Sequence, residues 1–298
     1  MTAPTEVRTR PRALAFIALT KPRIIELLLI STVPTMIVAD HGVPSVWLMV
    51  ATVVGGTLAA GGANAYNMYI DQDIDALMER TKGRPLVTGE VTPREALVFA
   101  TAIEIASFIW LWGFVNLLSA VLAIAATLFY VFIYTIWLKR TSKRNIVIGG
   151  AAGAAPVLIG WSAVTNSLDW APIVLFAIMF YWTPPHFWAL AIRYRDDYAA
   201  ADVPMLPVVE TIRTVAVRML LYTLVLWALT LVFAPVADMG AIYIVSAVVL
   251  GAIFTAMAVQ VLRNPDPKVA MRMFGYSISY ITLLFGAMAL DEIVRNGV

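Results

Sequence analysis

The sequence predicts an all-α membrane protein, a bundle of nine transmembrane helices with its N-terminus cytoplasmic and its C-terminus outside. Three observations carry this reading. Of the 298 residues, 61% are hydrophobic and only 13% are charged, against about 45–50% and about 25% in soluble domains; the mean hydropathy is +0.82. A span needs roughly 20 apolar residues, and nine stretches approach or exceed that, near 24–39, 46–69, 95–116, 119–138, 145–165, 171–192, 214–234, 240–262 and 273–291. With the N-terminus cytoplasmic, all of the 21 Lys and Arg except Arg295 fall on the cytoplasmic side, as the positive-inside rule asks of an odd number of spans. Short alternating strands are absent, which excludes a transmembrane barrel.

In chain order, residues 1–23 form a basic arm. Lys21-Pro22-Arg23 interrupts it and no small-residue cleavage site follows the first span, so the arm reads as a retained cytoplasmic tail. Residues 24–298 read as one polytopic domain, because no linker is long enough to divide them. Outside connections are short and nearly neutral, whereas two inside loops, about 70–94 and 193–213, are long and carry Asp and Arg. Both follow an even-numbered span and end in a Pro-apolar run, which hints at a duplicated unit with two like loops facing each other. In the sixth span, Pro184-Pro185 is expected to break or kink the helix, since each proline removes a backbone donor. Cysteine is absent, which excludes disulfides and thiolate metal sites. No nucleic-acid partner is expected.

The chemistry concentrates at 64–85, NAYNMYIDQDIDALMERTKGRP. Carboxylates beside a bilayer are costly and mark function by default. Asn67, Asp71 and Asp75 are spaced by four, which stacks them on one helical face. Such stacked oxygens repel unless a cation joins them, and Mg²⁺ takes oxygen ligands and shares them with substrate phosphates. Asp73 points away from that face. Arg80, Lys82 and Arg84 follow within two turns and suit a diphosphate. The segment therefore reads as a metal–diphosphate site at the membrane surface. Arg80, Lys82 and Arg84 could serve simply as topology determinants, but their proximity to the acids favours the diphosphate.

In the second loop, His186 follows the two prolines between aromatic residues, a candidate ligand or proton carrier or a structural histidine. Asp197 lies four after Arg193, the spacing of a helical ion pair, while Asp197 and Asp202 share no helical face. Asn64, Lys21, Arg23 and Arg144, at the cytoplasmic ends of spans, are candidate substrate contacts. Glu26 and Glu104 lie within or near spans with no assignable partner.

These residues resemble a known family. N-x-x-x-D-x-x-x-D at 67–75, with an Asp-bearing loop after the sixth span, is similar to the UbiA superfamily of intramembrane prenyltransferases. LTKPR at 19–23, the run at 67–86, NIVIGGAAGA at 145–154, WTPPHFWALA at 182–191 and VPMLPVV at 203–209 are similar to its haem-farnesylating branch. The resemblance runs from about residue 15 to the last span.

It implies transfer of the farnesyl group of farnesyl diphosphate to a vinyl group of haem B, with addition of water, giving haem O. Haem B is then a substrate rather than a prosthetic group. Mg²⁺ would be held by Asn67, Asp71 and Asp75, with Asp197 as a further ligand; Arg80, Lys82 and Arg84 would assist departure of the diphosphate. His186 would contact haem, and Arg193 a propionate or phosphate. The enzyme would lie in the inner membrane with its active site facing the cytoplasm, and pass haem O to a haem A synthase or an oxidase assembly protein. Two departures stand out: Arg193 occupies a position where the superfamily has a second Asp, and Asp202 one where the branch is expected to carry Gly. Two other readings remain, an aromatic-acceptor prenyltransferase of quinone biosynthesis and a membrane transporter for Mg²⁺ or a phosphate compound.

Overall fold

The computed structural model describes residues 10–297, apart from the side chains of residues 23–29. Arg23, Glu26 and the first nine residues of the arm lie outside the described residues. Among the described residues every regular element is a helix. Helix α1 (Arg12–Leu19) leads into α2 (Pro22–Asp40), α3 (Val46–Ile70), the short α4 (Gln72–Leu77) and α5 (Pro93–Phe114). Next, α6 (Leu117–Leu128) continues as a π-helix (Phe129–Leu138) and the single turn α7 (Lys139–Thr141). The chain goes on through α8 (Asn145–Thr165), α9 (Trp170–Arg193), α10 (Arg195–Ala200), α11 (Leu206–Val209), α12 (Ile212–Val236), α13 (Ala241–Arg263) and α14 (Pro267–Asn296).

Local sequence sets where these helices start. Thr92 and Glu95 form a reciprocal capping box before Pro93, and Thr211, Asp169 and Asp266 each accept a backbone N–H at a helix start. Prolines at the first helical position of α2, α5 and α14 cost nothing, since that N–H has no intrahelical partner.

Eight helices among the described residues are long and apolar enough to cross a membrane: α3, α5, the run from Leu117 to Thr141, α8, α9, α12, α13 and α14. Helix α2 stands where the first span is expected, and its described apolar stretch is the shorter Ile30–Asp40. The arm is not a plain tail. Ala15 and Leu19 of α1 are buried against α3 and α5 residues Ala65, Met68, Ala96 and Ala100, and Arg10 and Arg12 pair with Glu90 and Glu95.

The prolines of α9 leave the helix unbroken: it runs from Trp170 to Arg193 with Pro184 and Pro185 inside it. Burial explains the tolerance, because both prolines are packed among neighbouring helices, which can re-satisfy backbone groups that proline frees. The largest core packs α8, α9, α12, α13 and α14 around Trp188, Phe233, Phe254 and Tyr280. On the other side, α3 packs on α5 and α6, and α2 bridges α3, α8 and α14. Between α3, the π-helix, α8 and α9 the bundle is hollow.

Candidate active site

The hollow is a cavity open at one side, with about 1840 Å³ of empty space when the open solvent at its mouth is included. Its wall is mostly apolar and built from small residues, and its head gathers Lys21, Asn67, Asp75, Arg80, Arg84 and Lys139. Helix α3 delivers Asn67 at its last turn and ends at Asp71, which also starts α4. The two segments stay nearly continuous, with Asp71 N–H on the Asn67 carbonyl (3.0 Å) and Asp75 N–H on the Asp71 carbonyl (2.8 Å). Asn67 Nδ2 donates to Asp71 Oδ2 at 2.7 Å and to Thr135 Oγ1 at 3.1 Å.

Each acid meets a cation. Asp71 Oδ2 pairs with Lys139, and Arg140 approaches its Oδ1 at 3.5 Å. Asp75 Oδ2 pairs with Arg84 at 2.5 Å. Lys21 Nζ donates to Asn67 Oδ1 at 2.6 Å. Lys21 sits in left-handed backbone (φ 52°, ψ 63°) between α1 and α2, a costly conformation for a residue with a Cβ. Burial, and then the Arg84 and Lys139 charges beside it, hold its pKa well below the usual lysine value. A surplus of close cations is a state that a polyanion relieves.

Asp71 is fully buried just behind the cavity wall, reached through Asn67 and Lys139. Its Oδ1 has no hydrogen-bond donor, and a buried charged oxygen without one is expensive. Among the described residues no cluster of three His, Cys, Asp or Glu exists, so a metal here would rest on Asp71, Asp75 and an amide oxygen. That set of hard oxygen donors suits Mg²⁺. Asp73 is turned outward as its spacing predicts: it is 65% exposed and held by both guanidinium nitrogens of Arg140, at 2.7 and 2.8 Å. That hydrogen bonding holds its carboxyl down at about 2.

The two long loops, about 70–94 and 193–213, do meet. Arg80 N–H donates to Asp197 Oδ2 at 3.3 Å, its side chain donates to the Tyr198 hydroxyl at 3.5 Å, and its guanidinium lies 5.8 Å over the Tyr194 ring. Ile74 and Met78 pack with Tyr198, Val203 and Met205 beneath them. Asp197 thus braces the first loop, and it does not line the cavity. Asp202 has a positive φ of 51°, which accounts for a position where glycine is expected.

Several predicted site residues lie elsewhere. Lys82 pairs with Glu79 at 2.5 Å on the surface, because the turn after Met78 points it outward while Arg80 and Arg84 face in. Arg144 and Arg193 are exposed and outside the cavity wall, and Arg193 forms no ion pair with Asp197. His186 is also outside the wall. It is sandwiched between Trp182 and Phe274, at centroid distances of 4.3 and 4.6 Å, with Nδ1 at 2.6 Å from Ser277 Oγ. The helix turns it toward α14, and its neighbours Trp182, Thr183 and Phe187 reach the cavity instead. Asn64 lines the wall with its amide nitrogen on the Thr20 carbonyl at 3.0 Å.

Sequence reasoning also missed residues. Lys139 reads as a topology charge and Tyr130 and Tyr134 as packing, yet all three line the cavity, the tyrosines with rings stacked at 5.4 Å. The π-helix aligns them. Thr135 Oγ1 donates to the Tyr130 carbonyl at 2.9 Å and Lys139 N–H bonds the Tyr134 carbonyl, both five residues back. Segments of this winding are rare and cluster at functional sites.

Comparison with known proteins agrees. A protoheme IX farnesyltransferase of Parafrankia sp. (strain EAN1pec) is 55% identical over 95% of this chain and 91% of its own length. A protein of the same name from Frankia alni is 54% identical over 94% and 98%. Among solved structures, a digeranylgeranylglyceryl phosphate synthase superposes with a TM-score of 0.78 at 14% identity, covering 95% of this chain and 99% of the other. A UbiA homologue of Archaeoglobus fulgidus bound to GPP and Mg²⁺ superposes with a TM-score of 0.61 at 14% identity, covering 92% and 99%. Residues 28–285 match the model of the UbiA prenyltransferase family. By that match and by its curated relatives, the chain belongs to the UbiA prenyltransferase family.

Proposed function

We propose that this chain transfers the farnesyl group of farnesyl diphosphate to a vinyl group of haem B, with addition of water, to give haem O. The observation that carries this is the cationic cluster of Lys21, Arg80, Arg84 and Lys139 at the head of an apolar cavity. A polar head and a long apolar tail fit that arrangement, and the relatives named protoheme IX farnesyltransferase supply the acceptor.

Asp71, Asp75 and the Asn67 amide oxygen would hold Mg²⁺, as donor type and the undonated Asp71 oxygen favour. When bound, Mg²⁺ neutralises diphosphate charge and improves the leaving group. Lys21, Arg84 and Lys139 bind the diphosphate and take up the charge that develops on it as its C–O bond breaks. Asp75 orients Arg84, and Asp71 orients Lys139. The apolar wall excludes water from the allylic cation until the electron-rich vinyl group attacks it. Tyr130 and Tyr134 offer ring faces that attract such a cation. Water then adds to the new cation on the porphyrin side, and its proton leaves with the released diphosphate.

Residues 24–298 act as one catalytic domain in this reading. The charge pattern supports nine spans, counting α2. It also supports an inner-membrane location with the site facing the cytoplasm, where diphosphate and Mg²⁺ are available. The product would pass to a haem A synthase or an oxidase assembly protein. Incubating membranes that carry the chain with haem B, Mg²⁺ and labelled farnesyl diphosphate tests the reading. Labelled haem heavier by one farnesyl group and one hydroxyl is expected; label in a phenolic acid instead of haem overturns it.

A further inference from the structure

We infer that Gly56 is the length gauge of the prenyl pocket, holding open the space for the third isoprene unit. The inference rests on the farnesyl-transfer reading and deepens it. Adjacent glycines of α3 have different reasons to be glycine. A Cβ on Gly55 would come within 2.4 Å of Leu111, so Gly55 lets α5 pack closely. A Cβ on Gly56 would meet nothing within 4 Å, yet Gly56 lines the cavity. Glycine inside a helix is unfavourable relative to alanine, so packing gives no reason for it there. Gly153 of α8, also cavity-lining, has the same open surroundings.

Depth assigns the occupant. At 1.5 Å per residue, Gly56 lies about 16 Å along α3 from Asn67 in the diphosphate cluster. The cavity continues to Thr52 on α3 and Ile159 on α8, about 20 Å from the head on both helices. An extended farnesyl chain anchored at the cluster brings its terminal isoprene to the Gly56 layer, and a geranyl chain ends above it. Haem fits this end poorly. Its propionates need cations, and the cavity's cations are all at the head. Behind the deep wall lies a buried carboxylate, Glu104, which accepts from Thr127 at 3.0 Å. The Thr52 hydroxyl is likewise committed, to the Leu48 carbonyl at 2.8 Å. What remains is an apolar end for an apolar tail.

The test uses the full-length protein in lipid nanodiscs with geranyl, farnesyl and geranylgeranyl diphosphate. Two quantities are read: kcat/KM with haem B, and equilibrium binding of each diphosphate without haem. Gly56→Leu is expected to lower the farnesyl-to-geranyl ratio in both readouts by at least about tenfold, the low end of discrimination by an enclosed apolar pocket. Gly56→Ala should shift it the same way by less, and it keeps the test open if the leucine variant does not fold. Gly286→Leu adds the same side chain at an exposed glycine of α14 with open surroundings, and should leave the ratio at the wild-type value. A ratio unchanged by both Gly56 variants overturns the gauge. If no diphosphate supports labelling of haem, the function reading falls, and the binding ratio still decides the gauge.

Discussion

Two pairs of buried carboxylates lie at different places in this bundle, and their partners differ in kind. Asp291 near the end of α14 accepts backbone N–H groups from Gly240 (2.5 Å), Ile242 (3.0 Å) and Tyr243 (3.2 Å), closing the start of α13. Its neighbour Glu292 holds His41 and Asn296, each at 2.9 Å. Asp71 and Asp75 instead face Lys139, Arg140 and Arg84, and one Asp71 oxygen has only a 3.5 Å ion-pair contact with Arg140 and no hydrogen bond. Backbone donors are fixed by the fold, so Asp291 is spent on architecture. Long cationic side chains can swing, so the second pair is free to exchange partners with a ligand.

That contrast can be broken from either side. The largest effect belongs to the second pair. Asp71→Ala or Asp75→Ala is expected to cut farnesyl transfer at least about 100-fold, the scale of losing one group that balances transition-state charge, while membrane insertion stays intact. Near-normal turnover would remove these acids from the chemistry. Next, Asp291→Ala should uncap α13 and destabilise the protein by about 2 kcal/mol, within the range for a lost cap or buried unsatisfied donors. Its denaturation midpoint should fall with turnover per folded molecule unchanged. The smallest effect belongs to His186→Leu, expected to cost about 1 kcal/mol through a lost hydrogen bond and stacking. Haem affinity, read by absorbance titration, should stay within about twofold, since one lost contact to haem would cost about tenfold per 1.4 kcal/mol.

How far the site was legible depended on winding. Asn67, Asp71 and Asp75 could be read because α3 and α4 keep nearly regular helical spacing, and so could Asp73, which the same spacing turns away. Arg84 was legible by proximity and Lys82 was not, since an irregular turn separates the two faces. The direction of His186 was not legible, because two adjacent prolines were taken as a break, whereas a packed α9 passes through them and sends the ring to α14. Eight of the nine expected spans were legible from hydropathy; the described apolar stretch of α2 is shorter. The docking of α1 was not, because its small apolar face answers to α3 and α5, which lie far along the chain.

The wide turns from Phe129 to Leu138 act as a phase adjustment in the bundle. A residue in an α-helix advances the winding by about 100°, so one extra residue per turn re-aims everything downstream without lengthening the span by much. Tyr130, Tyr134 and Lys139 reach one wall because of that offset. The segment is fitted to the cavity at the expense of regular hydrogen bonding. Shortening it by one residue would keep an apolar span of acceptable length, yet rotate Lys139 out of register with Asp71. In this protein the position of a cavity-lining charge is set by how tightly a helix is wound, a variable that hydropathy and residue spacing do not record.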